Sequence, residues 1–427
     1  AMGHTIDATP VYERLQKRLD RNVTGAPGSP TLLEILRTLF SPEDADLAAR
    51  MPTRLTTVAD LAERLAIDPE DLDDRITDMA GRGLVVDVVH DDRRYVSLAP
   101  VVIGFFEFTF MRTRDDLPMK RLAELFEQYF YENDRFCRSV FDGQTQIGRS
   151  LVREEALPPD DHVEILDWER ASRIVESATA HAVSLCACRH KASHLDHACD
   201  RPMETCLTLN DAAVSMARNG IARSIDVREA MAILERSKEA GLAQTGDNVQ
   251  QNVSYICNCC GCCCGMMQAI RKFGVRNAIV TSNWIADLDT RFCKGCARCA
   301  EACPARAITM VEAPGANKKN LHADVDEDGC LGCGVCQAAC KNGALAMRPR
   351  EQRVYTPETM FDRYAMMAIE RGKLADLIFE DPAGLGHLAM ARLLGALERT
   401  GALRAAMAVA PLKSVFLSRL TAAARSS

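Results

Sequence analysis

Apolar residues recur at three- and four-residue intervals from Thr31 onward, and the pattern to about Pro100 predicts a run of short helices followed by a hairpin. Thr57-Val-Ala-Asp-Leu-Ala-Glu-Arg-Leu65 forms one helix, Ala66-Ile-Asp68-Pro69 a turn, and a second helix runs on to Gly81, with Gly83 as its stop. Val85 to Val89 and Arg93 to Val96 are strands about a turn at His90-Asp91-Asp92. Val101 to Phe110 is apolar almost throughout, so periodicity leaves strand and helix equally open there. Leu117 to Asn133 places Leu122, Leu125, Phe126, Tyr129 and Phe130 on one helical face, which marks them as core. Leu157-Pro158-Pro159-Asp160-Asp161 reads as a linker. A helix from Asp226 to Ala240 opens with the Asp226 and Glu229 capping pair and closes at Gly241. Met360 to Arg371 and Gly386 to Leu397 are helical as well, and no apolar run is long enough to span a bilayer.

These elements predict an α+β multidomain chain. The expected parts are a winged-helix-like domain over 5–100, an apolar connector and helix over 101–160, and a mainly helical cysteine-rich middle domain over 161–290. A two-cluster ferredoxin-like module over 291–350 and a helical C-terminal region over 351–427 complete it. The helix–turn–helix and hairpin over 55–96 resemble a winged-helix domain, a resemblance that implies DNA reading by the second helix. That helix carries Asp68, Glu70, Asp71, Asp73, Asp74 and Asp78 against one Arg75. Such a surface repels phosphate, so the expectation is no nucleic acid partner and a structural or docking role instead. The net charge of −7 agrees with that.

Nineteen cysteines change the picture. They cluster rather than spread, which points to metal thiolates in a reducing, cytoplasmic setting rather than to a disulfide scaffold. Cys293-x-x-Cys296-x-x-Cys299-x-x-x-Cys303-Pro304 is repeated as Cys330-x-x-Cys333-x-x-Cys336-x-x-x-Cys340. Three thiolates at spacing three reach three corners of one iron–sulfur cube, and the fourth serves the other cube. One [4Fe–4S] cluster is therefore assigned to Cys293, Cys296, Cys299 and Cys340, the other to Cys330, Cys333, Cys336 and Cys303. The double run resembles the bacterial two-cluster ferredoxins, with Lys341 standing where that family has its second proline.

Upstream lie Cys186, Cys188, Cys199 and Cys206, then Cys257-Asn-Cys259-Cys260-Gly261-Cys262-Cys263-Cys264-Gly265. Read as a loop, Cys257, Cys260 and Cys263 share the three-corner register, while Cys259 and Cys262 fall in another. At least one further Fe–S cluster is expected here. Cys186, Cys188, Cys199 and Cys206 either form a site of their own, for which zinc is the alternative metal, or supply fourth ligands. His181, His190, His194 and His197 lie near them and are read as solvated faces, with histidine ligation as the alternative. Arg189 is suited to hydrogen-bond cluster sulfur or an anion. Cys137 stands alone and reads as an ordinary buried thiol.

The layout as a whole resembles a family of large iron–sulfur proteins found mostly in anaerobic bacteria and archaea, which implies cytoplasmic electron transfer. Cys259-Cys260-Gly261 and Cys263-Cys264-Gly265 also resemble the CCG motif of heterodisulfide reductases, but only four residues apart. The function expected is a relay of single electrons to or from a partner redox protein or reductase. The alternatives are a reductase with its active site at the Cys257–Cys264 run and a redox-sensing regulator. No GxGxxG, P-loop or GxSxG in context points to nucleotide or flavin. Residues 382–427 hold six basic residues against one acid, with Met407, Leu412, Val415, Phe416 and Leu417 among them. That tail suits peripheral contact with an anionic membrane, a partner, or its own domain.

Overall fold

The computed structural model describes residues 9–157, 167–315 and 317–378. The linker at Pro158–Asp161, the helix expected at Gly386–Leu397 and the basic tail at 382–427 lie outside the described residues. The chain divides into two compact units, one drawn from 1–109, 113–145 and 359–427, the other from 110–112 and 146–358. It is an α+β multidomain architecture with several small antiparallel sheets.

In the first unit, Val58–Leu65 and Pro69–Arg82 form the helix–turn–helix. Asp68 caps the second helix by accepting from the amides of Glu70 and Asp71, Pro69 occupies its first turn, and Gly83 ends it at φ +81°. Val85–His90 and Arg93–Leu98 pair antiparallel around Asp91 and Asp92, both at positive φ, and Thr56–Thr57 adds a third short strand. The acidic helix is tied down locally. Arg94 binds Asp73 at 2.9 Å and the fully buried Asp87 at 2.8 Å. Val101 to Phe110, left open by the sequence, passes through extended, non-helical backbone at Val102, Ile103 and Gly104 before the Phe106–Phe110 helix. Phe106 packs on Phe126 and Phe130, and Phe130 stacks on Phe136 at 4.5 Å, so the aromatics of the Met119–Tyr131 helix are core. Cys137 is buried, its thiol donating to Phe130 O.

The second unit corrects one expectation. The region 161–290 is not mainly helical; its organising element is a six-stranded antiparallel sheet. In spatial order its strands are Gly148–Ser150, Ala243–Asp247, Tyr255–Cys259, Glu204–Leu209, His181–Leu185 and Arg223–Ile225. One face carries Val183, Leu207, Leu209 and Ile256. It packs on Ile174 and Val175 of the Ala171–Ser177 helix and on Ala230, Ile233 and Leu234 of the Val227–Glu239 helix. Because side chains alternate along a strand, the residues between these apolar ones face the other way. Among them are Cys206, one residue before Leu207, and Cys257, one residue after its cross-strand partner Ile256, with Cys259 two residues further on. The sheet therefore has an apolar face and a cysteine face.

Candidate iron–sulfur centres

The two regular runs share one backbone design. Each is a tight loop leading into a one-turn helix, Arg298–Ala302 in the first and Val335–Ala339 in the second. Gly295 and Ala297 of the first, and Gly332 and Gly334 of the second, adopt left-handed φ between +62° and +77°. A Cβ at Gly332 would overlap Trp284 O and Ser282 Oγ, so the loop lies flush against the Trp284–Leu288 strand. That strand pairs with Leu345–Pro349, and the Ile308–Glu312 and Leu321–Val325 hairpin closes the other side.

The thiols sort across the runs. Cys299 has Cys340 and Cys293 as neighbouring thiols. Cys303 lies near Cys330, and Cys333 near Cys303 and Cys330, with burial pushing the Cys333 thiol up to about 12. Cys336 faces Cys333, Cys330 and Cys303, and then Cys299 of the other set. Cys296 completes the first loop, partly exposed. Cys303, Cys330, Cys333 and Cys336 line a small, partly open cavity with Pro304, Ile308 and Met347. Thiolate donors around an apolar-walled cavity are what a four-iron cube requires. Ala307 N–H donates to Cys303 Sγ at 3.2 Å, a bond that tunes bound iron.

Residues 292–344 match the 4Fe-4S dicluster domain. The domain binds two [4Fe–4S] clusters. No curated protein and no solved structure is similar enough to the chain to count as a match.

Outside the dicluster domain, the other ten cysteines of the sites form two groups, and the grouping corrects the loop register. Cys257 does not join Cys260 and Cys263. It lies in the Tyr255–Cys259 strand, where residues two apart share a face, so its thiol hydrogen-bonds Cys259 and the cross-strand Cys206. The chain turns after Cys259 and sends Cys260, Cys262 and Cys263 to the far side. There Cys199 meets them: Cys199 to Cys260 is 3.7 Å, Cys263 to Cys199 3.9 Å and Cys263 to Cys262 3.7 Å, sulfur to sulfur. All four sulfurs lie within 4.8 Å of one another, a group able to hold a metal centre. Of the upstream cysteines, then, Cys199 is brought into this group.

The second group gathers on the cysteine face of the sheet. Besides Cys206, Cys257 and Cys259 it takes Cys264, whose thiol hydrogen-bonds Cys188 and Cys259. Cys186 lies near Cys188 and Cys206, and burial pushes its thiol up to about 12. Cys186 and Cys264 each stand immediately before a helix, Ala187–Ser193 and Gly265–Phe273. Cys264 therefore belongs to this six-thiol group.

Arg189 joins the groups. It is fully buried, donating to Pro202 O, to Thr205 Oγ1 at 3.3 Å and to Asn258 O at 3.2 Å. Burial works against its charge, but the sulfurs of Cys186, Cys260 and Cys199 outweigh that and raise its pKa. It also hydrogen-bonds Cys260, which fits the sulfur-bonding role read from the sequence. Cys260 is held down to about 4 by the hydrogen bond from Cys263, against burial and with Arg189. The histidines are spent otherwise. A ring nitrogen of His181 bonds Val175 O and one of His190 bonds Phe110 O, while His190 and His194 pack on Phe110.

The Cys260–Cys264 loop itself touches the dicluster domain at a contact that sequence reasoning did not find. Gly261 lies so close to Pro304, next to Cys303, that a Cβ on it would come 2.7 Å from Pro304 O. Arg271 sits at the same junction, with Cys262, Cys303 and Cys260 among its charged neighbours. The clue in the sequence was the lone glycine inside a run of cysteines. Among the described residues no helix is long and apolar enough to cross a membrane.

Proposed function

We propose that this chain is an electron-transfer protein that passes single electrons between a partner redox protein and the middle cysteine region through the dicluster domain. The clusters, when bound, supply reversible one-electron storage. The observation that carries this reading is the contact between Gly261 and Pro304. It places the Cys260–Cys264 loop against the loop of Cys303, a ligand assigned to the second ferredoxin cube. The six thiols Cys186, Cys188, Cys206, Cys257, Cys259 and Cys264 are assigned the additional Fe–S cluster.

The partner's side is the first run. Phe292, next to Cys293, is 53% exposed, and Cys296 and Cys340 are less buried than Cys330, Cys333 and Cys336. Arg291, Lys294, Arg298 and Lys341 are exposed beside these ligands. Lys318 and Lys319 follow Asn317, whose amide donates to Cys293 O at 3.2 Å. Asp289 cancels Arg291 alone. On a chain of net charge −7 this is a local basic rim, and it fits an acidic electron carrier. The winged-helix-like segment, with its acidic second helix, is assigned a docking or structural role rather than DNA reading.

The test uses anaerobically purified protein. About twelve irons matched by acid-labile sulfide are expected, two cubes plus one more cluster. Stopped-flow reduction by a reduced acidic two-iron ferredoxin should be faster at low salt, and Lys294→Glu with Lys341→Glu should slow it roughly tenfold there. Reduction of the dicluster irons with none reaching the middle sites would overturn the relay.

A reductase remains the second reading because Cys262 is exposed, unlike its neighbours in the run. Fast alkylation of Cys262 in fully loaded protein, with loss of turnover, would favour it.

A further inference from the structure

We infer that Cys199, Cys260, Cys262 and Cys263 hold a single tetrahedral metal ion of the zinc or ferrous-iron class, and not an iron–sulfur cluster. The argument is one of size. Four thiolates bound to one ion at ~2.3 Å stand at the corners of a tetrahedron with edges of about 3.8 Å. Four thiolates on the separate corner irons of a cube point outward from it and stand on the order of 6 Å apart. The three sulfur separations found here are 3.7, 3.9 and 3.7 Å. They fit the single ion and leave no room for a cube between the sulfurs.

The chain carries its own control. The eight cysteines of the dicluster domain serve four-iron clusters, and they form no such close set. Among the described residues, Cys199, Cys260, Cys262 and Cys263 are the one group of ligand atoms all within 4.8 Å of one another. The six-thiol group on the sheet is drawn out rather than compact: its sulfurs make contact in pairs but do not form such a mutually close set. The structure thus sets one compact group apart from the others.

The surroundings suit a closed, anionic tetrathiolate. Cys260 and Cys263 are buried. Arg189 hydrogen-bonds Cys260, and Arg271 lies near Cys262 and Cys260, so two cations face the site. Gln268 Nε2 donates to Gly261 O and Cys262 O, both at 2.8 Å, fixing the loop that presents three of the ligands. The ion ties Cys199 to a loop 61 residues further along the chain. Zinc would make that tie purely structural, whereas iron would add a one-electron centre beside Pro304.

This inference stands apart from the relay, because it concerns how many metal atoms four sulfurs hold and not whether electrons pass. Zinc, iron and acid-labile sulfide are counted per chain in the wild-type holoprotein and in Cys262→Ser and Cys199→Ser. Each variant should lose about one metal atom with sulfide unchanged. Loss of zinc identifies the structural ion. Loss of one iron, together with the high-spin ferric signal of the oxidised protein, identifies the redox ion. A readout on wild-type protein guards against misfolded variants: X-ray absorption at the zinc edge should show four sulfurs at about 2.3 Å and no metal neighbour. Loss of about four irons with their sulfides from either variant would overturn the inference. So would wild-type protein containing no metal beyond its sulfide-matched iron.

Discussion

Gly261→Ala probes the junction between the middle cysteines and the dicluster domain with a single methyl group. The new Cβ would lie 2.6 Å from Arg271 Nη1, 2.7 Å from Pro304 O and 3.0 Å from Pro304 Cα. Arg271 is the end of a flexible side chain and can swing away. Pro304 cannot, because it is backbone fixed by the neighbouring ligand Cys303. Ordinary contact begins near 3.4 Å, so the two loops must separate by about 0.7 Å, the difference between 3.4 and 2.7. Forcing a methyl into a packed site of this kind costs about 1–3 kcal/mol. For a unit of this size that lowers the unfolding midpoint by roughly 2–10 °C. The variant should keep its iron and sulfide, unfold earlier, and pass electrons from the dicluster domain to the middle sites more slowly in stopped-flow reduction. Adding Arg271→Ala should not restore either property, since the obstacle is Pro304. Wild-type thermal stability and wild-type reduction rates in Gly261→Ala would refute the contact and the route drawn through it.

Three further outcomes follow from the geometry. Cys303→Ala and Cys330→Ala should each damage the same cube, so the double variant should lose about four irons, while loss of about eight would break the crossed ligand assignment. Glu107 accepts the Gly104 amide at 2.9 Å, and burial pushes its carboxyl up to about 8. An acid whose pKa is raised on folding favours the folded state at low pH, so stability should fall as pH climbs from about 4.5 to 8. Glu107→Gln should remove about 2 kcal/mol of that fall, and thermal unfolding of the full chain with an unchanged pH slope would contradict it. Duplex DNA should not bind at physiological salt, because Glu70, Asp71 and Asp74 remain exposed on the second helix. A gel shift with a steep salt dependence would reverse that conclusion.

What could be read in the sequence depended on how local each signal was. The Pro69–Arg82 helix was legible because Asp68, Pro69 and Gly83 mark its ends chemically. The Val227–Glu239 helix was legible through Asp226, which accepts from Glu229 N. The dicluster domain was legible because its ligand spacing is itself the loop geometry. The six-stranded sheet was not. Ala243-Gln-Thr-Gly-Asp247 is buried at every residue yet shows no alternation, because the polar Gln244, Thr245 and Asp247 are buried along with Ala243. Tyr255–Cys259 was hidden in a cysteine run read as a loop, and the missed period of two misplaced Cys257. The tight four-sulfur set was beyond local reading altogether, because Cys199 is brought to it from far along the chain.

The placement of cations explains why the sulfur centres and the second unit form one system. Arg153 and Arg189 are buried, and Arg271 and Arg350 are partly so. Among the described residues none of the four forms an ion pair with a carboxylate. Arg153 donates to Lys238 O and Leu242 O, Arg189 to Pro202 O and Asn258 O, and Arg350 to Ser282 O and Cys330 O. These carbonyls orient the guanidinium groups without neutralising them. For each of them the strongest nearby anion is a thiolate: Cys333 for Arg153, ahead of Glu155; Cys186 for Arg189; Cys262 for Arg271; and Cys330 for Arg350, ahead of Glu327. A metal centre held by four thiolates is net negative, and a buried anion is tolerated only when compensated. The second ferredoxin set, the tight four-sulfur set and the six-thiol group each have a guanidinium beside them for that purpose. The converse holds for the cations, whose burial is favourable only while the thiolate centres are formed. Loading the metals and closing the second unit are therefore thermodynamically linked. A chain whose net charge is −7 thus places these four arginines at the sulfur centres rather than on carboxylates at its surface.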